Sequence, residues 1–581
     1  MIVPKSCTAS NLEMSIIGTI HEDVTTDVLG QIGSWQWLVT FISATLMVPS
    51  MLNQYEDMFL LEPPRDIECD VSASSSIFNT SLCTYSVLNG TKVYKCTAWH
   101  VKFLWVIWIK KTWLIFCDHK IKSLSTTIIC RLGLVFGCII FGLFADSFGR
   151  KLAISIDVVA EIGFRLILTF CDSESWFLLL IFLRSLFSSA NIYMGIILTC
   201  EIASSPWRTL LNTAVSIPRM LSAVCLVPLA NVAPNSETFN FIACIFSTSL
   251  VILLRWTPES PQWLLYNRGI SKAEKTILSA AKLNGIQLCS DFKIRPVNHR
   301  AYQCLDENWT CVSILTTHNV RILTLTILVL WTFYFFLWSS LYIRVHNRQQ
   351  YYGLLKTFCF MVILGFINWS LSKNFKIKTL LTMNLAVIGA SSTGIIFIEL
   401  LKFNIPVTDI ISPIALAASV IVHGFILNLT PRLFAINIRA TLFGCCYSCG
   451  HLGSIICCLI VIFRAVDEVI LMTVEAGLAV LLIILCCVLP DVDGRELPDV
   501  LEDMDYFSEL TKPLRWASQK TSSASREEIE MRVYSFGSAK HNPSTHSDSD
   551  DRLPAKRIGF ALIGSFLQRL RNSVLCQDSN I

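Results

Sequence analysis

Twelve long apolar segments, separated by short charged connections, are the feature that most constrains the fold of this chain. A helix needs about 17–25 apolar residues to cross the hydrocarbon core of a bilayer, and each segment has about that length. Only 15% of the 581 residues are charged, whereas soluble proteins carry about 25%. The segments are Trp35–Leu52, Thr127–Ala145, Leu152–Phe170, Trp176–Thr199, Thr213–Ala233, Phe239–Arg255, Asn319–Ile343, Gly353–Leu371, Lys378–Leu400, Thr408–Asn428, Ala440–Phe463 and Asp467–Leu489. They predict an all-α membrane protein with twelve transmembrane helices in two six-helix bundles.

The connections divide the chain into two apolar halves joined by a linker. We predict a first half at 35–255 that includes an extracellular loop at 53–126, a linker at 256–318 and a second half at 319–489. The positive-inside rule places the linker and both termini, 1–34 and 490–581, in the cytoplasm, because basic residues lie in the short connections on that side. The tail is rich in Ser, Asp, Glu and Lys over 521–552, which predicts a largely disordered segment. A basic amphipathic stretch near its end suits either the inner membrane face or a cytoplasmic partner.

The long loop of the first half carries the signs of an oxidising compartment. Asn79 and Asn89 begin glycosylation sequons. Four cysteines predict two disulfides, and three pairings are open. These cysteines are Cys69, Cys83, Cys96 and Cys117. The acidic residues Glu22, Asp23 and Asp27 precede any apolar run, so we predict no cleavable signal peptide.

A charged motif follows the second apolar segment. The ten residues from Gly142 to Lys151 read GLFADSFGRK. Gly142 permits close helix contact, and Gly149 permits a tight turn. Asp146 can cap a helix or pair with a basic group. The pattern of Gly, three residues, Asp, two residues and Gly-Arg-Lys matches the loop between helices 2 and 3 of the major facilitator superfamily.

Four further stretches resemble one branch of that superfamily, the organic cation, anion and zwitterion (carnitine) transporters. The stretches are Gly30–Gln36 (GQIGSWQ), Trp113–Asp118 (WLIFCD), Pro258–Leu264 (PESPQWL) and Leu489–Asp499 (LPDVDGRELPD). The four-cysteine loop is also typical of this family, and the resemblance covers about residues 28–505. It implies a multi-pass carrier of small organic ions in the plasma membrane that works by alternating access.

The resemblance also implies a gating network on the cytoplasmic side. By matching family positions, its members would be Asp146, Arg150, Arg184, Glu201, Arg208, Glu259 and Arg439. They would hold the cytoplasmic side closed and separate on switching. A simpler interpretation, in which the charges only fix topology, explains Arg150 and Arg208 equally well.

The second half departs from the family pattern. Ser372-Lys373-Asn374 stands where the family has Gly-Arg-Arg, Arg432–Ala435 replaces an acidic-Leu-Tyr-Pro run, and Gln262 replaces an arginine. These departures leave open a non-transporting relative that acts as a membrane sensor or scaffold. A sugar carrier fits the Gly142–Lys151 motif but not the WLIFCD run or the cysteine loop.

Several polar and aromatic residues lie inside predicted helices, where a charge costs about 2.5–3.5 kcal/mol and normally faces a partner or the aqueous pathway. Asp157, Glu161 and Arg165 recur at four-residue spacing and can pair locally. The candidates for the substrate pathway are Arg219, Trp331, Tyr334, Phe335, Trp338 and His451. The aromatic rings suit cation–π contact with an organic cation, although rings that face core or lipid would look the same. Histidine is compatible with either substrate charge, and a packing histidine is the alternative.

No nucleotide-binding phosphate loop, nucleophile elbow or zinc-binding His-Glu-x-x-His sequence is present. We therefore predict no enzymatic activity, no cofactor, no metal and no nucleic-acid partner. The expected partners are a small organic ion and the lipid bilayer.

Overall fold

The computed structural model of the chain describes residues 15–17, 28–30, 32–60, 67–69, 77–80, 84–87, 93–95, 99–101, 120–171, 174–232, 236–267, 269–286, 288, 293–296, 318–372, 374–401, 407–463, 468–495, 497–498, 504 and 531–534.

The first half consists of apolar helices and ends in a short 3-10 turn at Val251–Arg255. Its helices are α1 (Ser34–Leu60), α2 (Lys120–Phe148), α3 (Arg150–Thr169), α4 (Glu174–Phe187), α5 (Asn191–Ile202), α6 (Ser205–Val232) and α7 (Ser236–Leu250). The fourth predicted segment is divided into α4 and α5. The Asp157 carboxylate of α3 accepts hydrogen bonds from the backbone N–H groups of Ala190 and Asn191, each at 3.1 Å. It thereby satisfies donors that the first turn of α5 leaves unpaired.

Two linker helices, α8 (Pro261–Asn267) and α9 (Ile270–Leu283), pack against the first half. Asn284, which follows α9, accepts a hydrogen bond from the backbone N–H of Trp35 at 2.8 Å. Its amide nitrogen donates to the carbonyl of Leu29 and to the side chain of Gln36, each at 3.1 Å. These bonds attach the linker to the start of α1.

The second half begins with one very long helix. Its helices are α10 (His318–Leu371), α11 (Ile377–Leu400), α12 (Thr408–Leu429), α13 (Arg439–Ile462) and α14 (Glu468–Val488), with a 3-10 turn at Thr430–Arg432. The seventh and eighth predicted segments are both in α10, whose backbone is helical throughout. The connection between them contains no proline, and its only glycine is Gly353 at the start of the eighth segment. No strong helix breaker therefore stops the helix there. The helix contains two separate apolar stretches, Asn319–Val345 and Leu355–Leu371.

The predicted segments all overlap helices of the structure, and the mainly helical membrane architecture is confirmed. Within the described residues, seven helical stretches are long and apolar enough to cross a membrane. The shorter apolar helices Phe241–Arg255 and Leu355–Leu371 lie in two further predicted segments.

Short antiparallel strands lie outside the predicted membrane segments. Their bounds are β1 (Ser15–Ile17), β2 (Ile67–Cys69), β3 (Ile77–Thr80), β4 (Thr84–Val87), β5 (Val93–Lys95), β6 (Trp99–Val101), β7 (Lys293–Pro296) and β8 (Met531–Tyr534). In the predicted extracellular loop, β2 pairs with β6, and β3, β4 and β5 form a three-stranded sheet. In the second three-stranded sheet, β8 of the tail lies between β1 and β7. The tail segment predicted to be disordered therefore includes one strand.

The two halves meet most extensively along α2 and α13. Gly142 of α2 lies against the backbone of Ala440 and Thr441, and Gly444 of α13 lies against the carbonyl of Cys138. A Cβ at Gly142 would lie 2.7 Å from the Ala440 carbonyl oxygen and one at Gly444 would lie even closer to that of Cys138, so the helices would have to shift apart. The absence of a Cβ at these positions therefore allows α2 and α13 to approach closely.

Candidate functional site: a charged network and an aromatic cluster between the two halves

A group of charges, most of them buried, joins the halves at the end predicted to be cytoplasmic. We call Asp146, Arg150, Glu201, Glu259 and Arg439 the gate network. The Asp146 carboxylate accepts hydrogen bonds from the backbone N–H groups of Ala440 and Thr441, at 3.2 and 2.7 Å, and from the Thr441 hydroxyl at 2.7 Å. An anion is favoured at this position because the first N–H groups of α13 lack helical partners and carry its positive dipole end. Asp146 of the first half therefore caps a helix of the second.

Glu201 lies between two arginines that come from opposite halves. Its Oε1 atom is 2.9 Å from Nη2 of Arg150 in the first half and 3.0 Å from Nη1 of Arg439 in the second. All three side chains are fully buried. Arg150 also donates to the carbonyl of Ile436 at 3.0 Å, which is a second bond between the halves. Such charge-assisted bonds are stronger than neutral ones, and these two join the first half to the second.

Glu259 connects the linker to the network. Its carboxylate accepts hydrogen bonds from the backbone N–H groups of Arg150 at 2.8 Å and Lys151 at 3.2 Å. Burial raises the pKa of this carboxyl, and the neighbouring Arg150 charge and these N–H bonds offset only part of the rise. The Trp263 indole donates to the Asp146 carbonyl at 3.1 Å, and its ring faces the Arg150 guanidinium at 5.7 Å.

The other two predicted gating residues lie elsewhere. Arg208 donates to the carbonyls of Cys200, Ala203 and Arg495, and the last of these belongs to the segment after α14. Arg208 thus makes a backbone bond across the halves without joining the gate network. Arg184 is buried in α4, a helix that contributes no residue to the gate network.

The second half closes the same end with different residues. Arg432 donates to Asn428 at 2.7 Å, to the Thr209 hydroxyl of the first half at 2.9 Å and to Asp493 at 3.2 Å. Asp493 also accepts the backbone N–H of Ile377 at 2.7 Å, at the start of α11. The exposed Lys376 pairs with Asp491.

Further from this end, an aromatic group fills the space beside α13. We call Trp331, Tyr334, Phe335, His423 and Tyr447 the aromatic cluster. His423 lies 5.4–5.9 Å, between ring centroids, from each of the four other rings. The Trp331 indole donates to the Thr430 hydroxyl at 3.0 Å, and the Tyr334 hydroxyl donates to the Ser419 carbonyl at 2.7 Å. The cluster is buried, so these rings do not face lipid.

His451 and Trp338 lie at one side of the cluster, beside a residue of the first half. The His451 ring is 5.0 Å from both Phe335 and Tyr447. Arg131 of α2 lies 3.4 Å, Nη1 to Nδ1, from His451. Its guanidinium faces the Trp338 ring at 5.3 Å. Of the predicted pathway residues, the structure therefore brings together Trp331, Tyr334, Phe335, Trp338 and His451.

Other predictions remain untested because they depend on side chains outside the described residues. Arg219 lies in α6, Asn79 in β3 and Cys69 in β2, and the structure describes only the backbone of these residues. Asn89, Cys83, Cys96 and Cys117 lie outside the described residues altogether. Where the structure describes the chain, no group of three or more His, Cys, Asp or Glu side chains is arranged to hold a metal ion.

Sequence reasoning missed some buried polar residues. Arg131 and His423 are isolated polar residues within apolar helices. Because such residues are rare in membrane segments, their presence there could have indicated a functional position. It also missed a buried ion pair in the second half, in which Arg344 of α10 lies 2.5 Å from Glu475 of α14. The Ser340 hydroxyl donates to the same carboxylate at 2.6 Å.

In the first half, the predicted local pair is present, with Glu161 and Arg165 3.7 Å apart. Asn53 of α1 bonds to both.

The helical halves, the close α2–α13 contact and the charged network define a major-facilitator transport protein. Residues 117–502 match the profile of the family described as "Sugar (and other) transporter". Since this match covers more than half of the chain, the protein belongs to that family.

Curated relatives confirm the resemblance to the organic cation and carnitine branch. The human "Organic cation/carnitine transporter 2" is 21% identical over 538 residues, which cover 83% of this chain and 93% of that protein. Mouse "Solute carrier family 22 member 21" is 22% identical, with coverage of 84% and 94%.

Solved structures show the same fold. The xylose symporter XylE, bound to 6-bromo-6-deoxy-D-glucose, aligns with a TM-score of 0.56 at 12% identity, covering 81% of this chain and 98% of its own. The partially occluded inward-open form of XylE from E. coli aligns with a TM-score of 0.52 at 13% identity, with coverage of 80% and 100%.

Proposed function

We propose that this protein is a plasma-membrane carrier of small organic ions that works by alternating access, with both termini in the cytoplasm. The gate network is the observation that carries the proposal. Its bonds join Asp146 to α13 and Glu201 to Arg439, so they cross between the halves and not within one of them. An ion pair with a purely structural role could equally lie within one half, as the pairs Glu161–Arg165 and Arg344–Glu475 do.

Alternating access requires an interface that closes firmly at one end and then opens. In the present conformation the gate network is closed, and the aromatic cluster behind it is buried. A solute bound near the cluster would lie between the halves, where carriers of this fold hold their substrates. Movement to the opposite state must break the Arg439–Glu201 bond and release Asp146 from α13.

The names of the relatives supply the solute class. They describe transporters of organic cations and carnitine, and a small organic ion is therefore the solute that we assign to this chain. The buried rings around His423 and His451 are consistent with an apolar body on that ion.

Uptake into proteoliposomes tests the proposal. The purified full-length chain should take up at least one member of a labelled panel of organic cations, anions and carnitine-like zwitterions, with saturation. Glucose serves as the comparison solute, and an Asp146→Asn variant serves as the control with a weakened gate. Saturable glucose uptake alone would indicate a sugar carrier. Correctly folded protein that moves no solute would support the sensor or scaffold alternative.

Orientation and processing belong to the same proposal. Cell-surface protein should lose mass on glycosidase treatment, and Asn79→Gln with Asn89→Gln together should abolish that shift. Antibody access to the tail only after permeabilisation is the expected result for a cytoplasmic C-terminus. The tail remains a proposed docking site for a cytoplasmic partner.

A further inference from the structure

We infer that Arg131 is an anion-binding residue and that the solute is an organic anion with an apolar or aromatic body. This inference rests on the proposed carrier function and specifies the charge of its solute. The observation behind it is the position of Arg131, at the boundary between the halves and in contact with both His451 and Trp338.

The neighbours of Arg131 distinguish it from the other buried arginines that form ion pairs. Arg150 and Arg439 lie against Glu201, Arg165 against Glu161, and Arg344 against Glu475. Arg131 is only 7% exposed, yet among the described residues no carboxylate lies within ion-pair distance of it. A buried charge without an opposite charge is costly, and a site that receives an anion removes that cost.

The contact with His451 fixes the charge of the resting site. A guanidinium only donates hydrogen bonds, so Nδ1 of His451 must be the unprotonated acceptor. The pair then carries one positive charge, supplied by Arg131. A carboxylate can accept two parallel hydrogen bonds from the planar guanidinium, whereas a single imidazole nitrogen can accept only one.

The surroundings of the pair supply an apolar wall. Phe335 and Tyr447 each present a ring 5.0 Å from His451, in edge-to-face geometry. An anion on Arg131 would therefore have its apolar body directed toward the aromatic cluster. Rings arranged in this way pack favourably against another aromatic ring.

An organic cation fits this arrangement poorly. The Trp338 ring is already faced by the Arg131 guanidinium. Buried carboxylates elsewhere in the two halves are engaged, since Asp157 caps α5 and Glu475 pairs with Arg344. A second cation beside Arg131 would be repelled without a compensating negative charge.

The test uses three solutes that share a phenyl body and differ in headgroup: phenylacetate, phenethylamine and phenethyl alcohol. Their uptake, and the thermal stabilisation that each gives to the purified full-length protein, are measured for wild type, Arg131→Lys, Arg131→Gln and Arg131→Glu. Arg321→Gln is the matched control, because it removes one charge from an exposed position on α10.

We expect wild type to prefer phenylacetate over phenethylamine by about tenfold to a hundredfold, as expected for charge-assisted bonds. Arg131→Gln should abolish the preference, Arg131→Glu should reverse it, and Arg131→Lys should retain part of it. Arg321→Gln should behave as wild type. The comparison within wild type remains informative if an Arg131 variant fails to fold.

Two results would overturn the assignment while leaving the carrier function intact. One is wild-type preference for phenethylamine, and the other is an unchanged anion preference in folded Arg131→Gln. If folded wild-type protein neither binds nor moves any solute of this set or of the wider panel, the proposed function itself fails.

Discussion

The loop between α2 and α3 and the corresponding loop between α10 and α11 close the same end of the molecule with different chemistry. In the first half, Asp146 and Arg150 are fully buried and contact the second half directly. In the second half, Lys376 is 65% exposed at its side chain and pairs with Asp491 of its own half. The contact across the halves is made there by Arg432, through Thr209.

This comparison shows that the second half still makes contacts that close this end of the molecule, although its sequence departs from the family pattern. Ser372-Lys373-Asn374 lacks the family's arginines, but Arg432, Asp493 and the N-terminus of α11 form a local substitute. Burial determines how strongly each side should respond to mutation. Breaking a buried pair costs about 3–5 kcal/mol, whereas exposed pairs contribute little.

The largest effect is expected for Arg150→Ala. This change removes one partner of Glu201 and the ion pair with Asp146, and it leaves two buried carboxylates with less compensation. We expect a loss of about 3–5 kcal/mol in the stability of the closed state and a loss of transport. Thermal unfolding and uptake measure the two effects. Lys151→Ala is the control, because Lys151 contacts Glu259 only through its backbone N–H.

An intermediate effect is expected for Arg432→Ala. Arg432 donates to Asn428, to Thr209 across the halves and to Asp493, which is partly exposed. We expect a loss of about 1–3 kcal/mol and slower uptake, measured as above. An effect as large as that of Arg150→Ala would contradict the asymmetry between the halves.

Glu259 predicts a pH dependence. The folded-state pKa of this carboxyl is raised above its ordinary value of 4.5 by burial. The folded protein therefore binds more protons than the unfolded chain, and its contribution to stability is lost as pH rises through the raised pKa. Thermal unfolding across acidic to neutral pH should show a smaller slope for Glu259→Gln than for wild type. Equal slopes would show that Glu259 does not titrate in this window.

The smallest effect is expected for Lys376→Ala. Burial alone would raise the pKa of Asp491, but the Lys376 ammonium and a backbone N–H outweigh burial and lower it. This contribution is present above the ordinary carboxyl pKa and is lost only in stronger acid. At neutral pH we expect nearly unchanged stability and uptake, and the small difference from wild type should shrink at high salt, because salt screens the exposed pair that only wild type has. A severe loss of transport would show that the exposed pair takes part in gating.

The sequence predicted the membrane segments because apolar length is a local property. It also selected Asp146, Arg150, Glu201, Glu259 and Arg439, since their motifs are local or match family positions. The structure brings these five residues together, and their role in gating stays a prediction. It could not show that Asp146 caps α13, because the partners are almost three hundred residues apart. For the same reason Arg131 was missed, since only the fold brings it to His451. The sequence did not predict that α10 is continuous. Polar residues between two apolar stretches suggested a loop, and the absence of helix breakers among them was not considered.

A distance measurement between the halves tests the central claim, that the gate network holds this end closed. Spin labels on ketone-bearing amino acids at Lys275 and Asn374 would report it, since the chain's 23 cysteines prevent selective thiol labelling. Both positions are exposed, one on α9 against the first half and the other before α11. In wild type we predict a single population with a short distance between the two labels. In Arg150→Ala we predict an additional population in which the labels lie farther apart. Identical distance distributions in the two proteins would contradict the claim.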